Sequence, residues 1–188
     1  MIAIGNGHEA VAWLHINSLA KLDSQDYCRW TALMIACRSG HEAVARLLMD
    51  GGAELDLQAG GGTYWLDDET AYEDIEGRTA LMNASWGGHV EVARLLIEGG
   101  ADLDLQDREG WTALMLAAEW GHVEMTRLLM DAGAELDLQN NNGWTALMIA
   151  SQKGHVEVAR LLIDAGARVG FTEQQRKYGS DHGLSIWS

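Results

Sequence analysis

Gly110-Trp111-Thr112-Ala113-Leu114-Met115, then Gly121-His122-Val123-Glu124, then Asp131-Ala132-Gly133-Ala134-Glu135-Leu136-Asp137-Leu138-Gln139: the chain repeats this string, and the repetition decides the fold. Near copies run over 143–167, 77–106 and 30–58. Thr79 to Thr112 and Thr112 to Thr145 are each 33 residues. Self-similarity at a fixed period of this size marks an array of stacked units rather than a domain with one closed core.

Inside a unit the chemistry is that of two short helices. Thr112 is a good N-cap for a helix over 113–120, whose Leu114, Met115 and Ala118 follow helical spacing. Gly121-His122 interrupts it, and a second helix is expected over 123–131, with Leu128 and Leu129 inward and Glu124 and Arg127 outward. Gly133 supplies the left-handed residue that ends it. No such unit hides its apolar face alone, so neighbours must stack.

The period divides the chain. Residues 1–25 form a degenerate partial repeat, because Gly7-His8-Glu9-Ala10-Val11-Ala12 matches Gly40-His41-Glu42-Ala43-Val44-Ala45 but the start of the first helix is lacking. It either caps the array in part or is the remnant of a longer one. Units follow at 26–58, 74–106, 107–139 and 140–172, with a tail over 173–188. Thr31 to Thr79 is 48 residues, fifteen more than the period, which places an insertion at 59–73.

Composition narrows the partners. The formal charge is −15, from 28 acids and 13 bases. That argues against nucleic acid and anionic membrane, which reward clustered lysine and arginine, and favours a basic protein or peptide. Only two cysteines occur, too few to staple the chain, and free thiols fit a reducing compartment. The N-terminus has neither the basic region nor the apolar run of a signal peptide, and no stretch approaches a membrane span. A cytoplasmic or nuclear monomer is expected.

A unit of 33 residues with a turn, two antiparallel helices, Thr-x-Leu-x-x-Ala and Gly-His resembles the ankyrin repeat. The family's Thr-Pro-Leu-His becomes Thr-Ala-Leu-Met after Thr31, Thr79, Thr112 and Thr145, and the chain has no proline at all. The resemblance implies an all-α solenoid of helix-turn-helix units joined by connecting turns or hairpins. It also implies a non-catalytic array that binds proteins through its turn tips and the inner, first-helix face of its curve. A regulatory region of a larger enzyme or channel is the competing reading.

Candidate binding residues are those that vary where the units otherwise agree. Trp86 and Trp120 end their first helices, where other units carry Arg38-Ser39 and Gln152-Lys153, and tryptophan is enriched in interface hot spots. Both are expected to be dispensable to the fold. The same comparison nominates Arg78 and Glu119, with Tyr27, Arg108, Glu109 and Lys153 behind them. In the insertion, Tyr64, Trp65 and Tyr72 beside Asp67, Asp68 and Glu69 make an aromatic, acidic arm. Its plainer reading is a loop without a role, and its acidic run lacks the alternation of a calcium loop. Trp30, Trp111 and Trp144 share one register and read as packing residues. So do His41, His89, His122 and His155, since units stack on the order of 10 Å apart, too far for one zinc ion to be shared. There is no phosphate loop, no nucleophile elbow and no paired-histidine zinc motif, so no catalytic residue, cofactor or metal is assigned.

Overall fold

The computed structural model describes residues 21–60 and 76–168; Tyr64, Trp65 and Tyr72 lie outside the described residues. Eight α-helices and no strand occur among them, in four pairs: α1 Ala32–Arg38 with α2 Glu42–Asp50, α3 Ala80–Gly87 with α4 Val90–Glu98, α5 Ala113–Trp120 with α6 Val123–Asp131, and α7 Ala146–Lys153 with α8 Val156–Asp164.

Each first helix starts at its threonine. The hydroxyls of Thr31, Thr79, Thr112 and Thr145 accept the backbone N–H of Met34, Met82, Met115 and Met148 at 3.2–3.4 Å, which satisfies a donor the helix leaves orphaned. In the first two units the methionine sulfur answers, accepting the N–H of Thr31 and Thr79 at 3.5 Å. Methionine therefore closes a weak version of the capping box.

The first helices are apolar almost all round because they are sandwiched on several sides: Ala113 to Ala118 are all buried. They pack on one another more extensively than the second helices do, which draws the stack together on the first-helix side. Stacking is what buries the second helices. Val90 and Val123 are half-buried, whereas Val156 at the same register in the fourth unit is 69% exposed. Cys28 and Cys37 are buried free thiols, and burial pushes the Cys37 thiol up.

Straps between units use the run that ends each one. The carboxylates of Asp23, Asp56, Asp104 and Asp137 accept the backbone N–H of Glu54, Asp102, Glu135 and Arg168 in the next unit at 2.8–3.1 Å. Gln58 and Gln106 likewise donate their side-chain amides to the carbonyls of Gln106 and Gln139.

The turns between units show where the insertion enters. Asp107 N donates to Trp111 O, Gly110 N to Asp107 O, and Arg108 N to Glu76 O of the preceding turn. Ala59 N donates to Arg78 O, Gly77 N to Ala59 O, and Gly60 N to Cys28 O, the same three bonds at the same register. Ala59 and Gly60 are thus turn residues, and the fifteen extra residues enter after Gly60, as 61–75 rather than as 59–73. Sequence register missed this because Ala59 lacks the aspartate or asparagine that marks the other turns: Asp26, Asp107 and Asn140 each accept two backbone N–H groups of their own turn through Oδ1, and alanine cannot.

Gly60 has a second reason. Gly77, Gly110 and Gly143 take φ of 76–90° at the turn's left-handed position, but the first unit puts Arg29 there, at φ 59°. The strain costs on the order of 1 kcal/mol. Its side chain lies across Gly60, where a Cβ would come 2.6 Å from Arg29 Cδ.

The second unit carries polar atoms in its core. Asn83 stands where the others have Ile35, Leu116 and Ile149; its amide donates to Thr79 O at 2.9 Å, but its Oδ1 is buried with no hydrogen-bond partner, as is Ser85 Oγ. A buried, unbonded acceptor costs roughly 1–3 kcal/mol. Asn83→Leu is expected to raise stability by about 1–2 kcal/mol in urea unfolding, with its m-value unchanged. Joining Gly60 directly to Glu76 should leave unfolding cooperative and its midpoint undiminished, since the two then stand at consecutive turn registers, as Arg108 and Glu109 do. Loss of the cooperative transition on heating would instead place residues 61–75 within the fold.

Candidate functional site

A row of side chains crosses the units at the C-terminal ends of the first helices. Arg38, Trp86, Glu119 and Gln152 share one register, and Ser39, Gly87, Trp120 and Lys153 the next. The Arg38 guanidinium lies 3.9 Å from the centroid of the Trp86 ring. Trp86 meets Trp120 edge to face, with centroids 5.5 Å apart and planes at 72°. Lys153 Nζ is 3.0 Å from Glu119 Oε1. Neighbouring units therefore touch through this row by cation–π, aromatic and ionic contacts in turn.

The backbone beneath the row is held by the loop histidines. Each precedes a second helix but makes no side-chain cap there. The rings reach back one unit instead. His89 Nε2 is 3.0 Å from Arg38 O, His122 Nε2 is 3.1 Å from Trp86 O, and His155 Nε2 is 2.9 Å from Glu119 O. A carbonyl only accepts, so Nε2 carries the proton and donates. The rings also lie on glycine: a Cβ on Gly40, Gly88 or Gly121 would stand 2.5–2.8 Å from the ring of His89, His122 or His155. His89, His122 and His155 are thus mortar between units, a packing role in keeping with their fixed register.

Two expected site residues belong partly or wholly to the interior. Arg78 replaces the tryptophan of its register and is only 7% exposed, with Nε 3.9 Å from Asp107 Oδ2. That removes it from the surface a partner can reach. Burial pushes the Asp107 carboxyl above its usual range, and the Trp111 N–H and the Arg78 guanidinium act against that push. Trp86 is half-buried against the core, with its Nε1 buried, and so occupies packing space at a position the sequence suggested was free. Sequence comparison treats any register that varies as free. Here the side chain changes while the space it must fill does not.

Trp120 is different, at 48% exposure. Glu119 is half-buried beside it, and Lys153, Arg108, Glu109 and Tyr27 are exposed. Arg108 pairs with Glu76 of the preceding turn. Arg38 was missed by sequence reasoning, because its role depends on the indole of the next unit. Trp30 is fully buried, and Trp111 and Trp144 pack half-buried against the core.

A profile described as ankyrin repeats (3 copies) matches residues 1–107 and again 99–173. The chain belongs to the ankyrin repeat family. Ankyrin repeats are generally protein–protein interaction modules and are typically non-catalytic. No curated protein matches the chain. Among the described residues no helix of this ankyrin array is long and apolar enough to cross a membrane, and no group of three or more His, Cys, Asp or Glu is arranged to hold a metal ion.

Burial lowers the His89 pKa, with the nearby His122 and His41 rings acting the same way and the bond to Arg38 O acting against it. The unfolded chain then takes up the proton first. The stability His89 lends is complete above its unfolded pKa, about 6.5, and is lost as pH falls through the lower folded value. Urea midpoints should therefore drop between about pH 7 and pH 5, and the drop should be shallower in His89→Gln.

Proposed function

We propose that the array binds a protein partner through the first-helix row, with Trp120 as the anchor and Trp86, Arg38, Glu119 and Lys153 as its surround. The observation that carries the reading is the exposed Trp120 indole, backed by a second tryptophan whose own position is braced by the core and by Arg38. Trp120 packs by one edge contact on Trp86 and still leaves about half of its surface in water. Set in a contiguous patch on a rigid backbone, it can bury area on binding with little loss of conformational entropy.

The row lies on the side toward which the first helices draw together, where an extended or helical segment of another protein can touch several units at once. The exposed turn residues Tyr27, Arg108 and Glu109 join the same proposal, as do Tyr64, Trp65 and Tyr72, which lie outside the described residues. The charge of −15 favours a basic partner and speeds its approach. We assign the chain no catalytic residue.

Trp120→Ala separates binding from folding. It should change stability by about 1 kcal/mol or less, the worth of its edge-to-face contact with Trp86. It should also lose most of the binders that the wild-type array enriches from a displayed protein library, each weakened by about 2 kcal/mol. Trp86→Ala should cost about 2 kcal/mol of stability, because its ring fills space in the core. An enriched pool that binds Trp120→Ala as well as the wild type would refute the row as the interface.

A further inference from the structure

The two tryptophans of the row differ in what lies on them. Trp86 carries the Arg38 guanidinium, supplied from its own register one unit earlier. Trp120 is one residue further along its helix, so the residue at its register in the preceding unit is Gly87. Glycine has no side chain to lay over an indole. None fits there either, for a Cβ on Gly87 would come 2.5 Å from the His89 ring. In the following unit the register is held by Lys153, whose ammonium is engaged with Glu119 at 3.0 Å. Among the described residues Trp86 has a cation on its ring and Trp120 has none.

We propose that the open indole of Trp120 receives an arginine side chain from a basic partner segment, stacked as Arg38 stacks on Trp86. The proposal rests on the interface reading above and names its chemistry. Three features select that ligand. An indole ring attracts a cation to its face, more strongly than phenol or benzene rings do. The planar, weakly hydrated guanidinium gives up less on stacking than a compact ammonium, so arginine is favoured over lysine. The chain's charge of −15 raises the local concentration of any basic segment.

Glu119 supplies the polar end of the site. Its pair with Lys153 is partly exposed, at 24% and 46% of the two side chains, and such pairs contribute little. The carboxylate can therefore exchange the ammonium for the edge of an incoming guanidinium, and the released Lys153 ammonium, already exposed, returns to water. A guanidinium placed on Trp120 next to Glu119 meets a ring and a carboxylate together, whereas one elsewhere on the acidic surface meets charge alone.

The test uses the full chain and three short synthetic peptides of equal length, alternating glycine with arginine, with lysine or with citrulline. Binding is followed by calorimetry at moderate and at high salt. The arginine peptide should bind roughly three- to tenfold more tightly than the lysine peptide, and that ratio should survive high salt. The citrulline peptide should not bind, and the indole N–H resonance of Trp120 should shift only with arginine. Trp120→Ala should erase the arginine preference while keeping a cooperative thermal transition, leaving the weaker, salt-sensitive attraction common to both cationic peptides. Equal affinity for arginine and lysine peptides, a preference that persists in Trp120→Ala, or no binding of any peptide would overturn the proposal. If it fails while Trp120→Ala still loses the library binders, the anchor stands and only its ligand was misjudged. If the library binders are also indifferent to Trp120→Ala, both readings fall.

Discussion

His89, His122 and His155 each lie against a glycine of the unit before and donate Nε2–H to a carbonyl at the end of that unit's first helix. This one contact fixes the spacing of the array. The glycine must lack a side chain and turn left-handed, the ring must carry its proton on Nε2, and the carbonyl must be one the helix leaves unpaired. The threonine caps, the aspartate straps and the turn-to-turn bonds act across or around the same boundary, and each repeats with the period. Stability is thereby spread over nearest-neighbour interfaces instead of being gathered in one core.

That arrangement explains why a recognition surface can vary without endangering the fold. His122 bonds to the carbonyl of Trp86 and His155 to that of Glu119, so the fold uses the backbone of the row and leaves the side chains free to differ. Arginine, tryptophan, glutamate and glutamine occupy the same register on equivalent backbone. The limit on that freedom is volume. Where two large side chains meet across a boundary, as Arg38 with Trp86, they become part of the packing.

The second unit departs most from its neighbours. It follows the insertion, buries an arginine where the others place tryptophan, and sets Asn83 and Ser85 among hydrophobic side chains. The unbonded Asn83 Oδ1 costs free energy on burial, and the same unit supplies Trp86 to the row proposed to meet a partner. Unevenness of this kind is compatible with folding because the units on both sides keep the threonine cap and the bonds between turns.

Period, glycine and histidine registers and threonine caps all stand in the sequence, and they determined the stacked helical pairs and the family, because local preferences and unit boundaries there agree. The histidines and the Trp30, Trp111 and Trp144 column were also readable as structural, since a residue kept at one register answers to a need that recurs in every unit. Tertiary structure alone decided which variable residues face solvent. Arg78, Trp86 and Trp120 look alike as departures from a pattern, yet one is buried against a carboxylate, one is half in the core and one stands in water. The insertion point was decided the same way, by Ala59 and Gly60 filling turn positions whose side chains give no sign of it. The reason is physical: a repeat specifies its own helices through neighbours in sequence, but exposure and volume are set by what the adjacent unit happens to bring to the boundary.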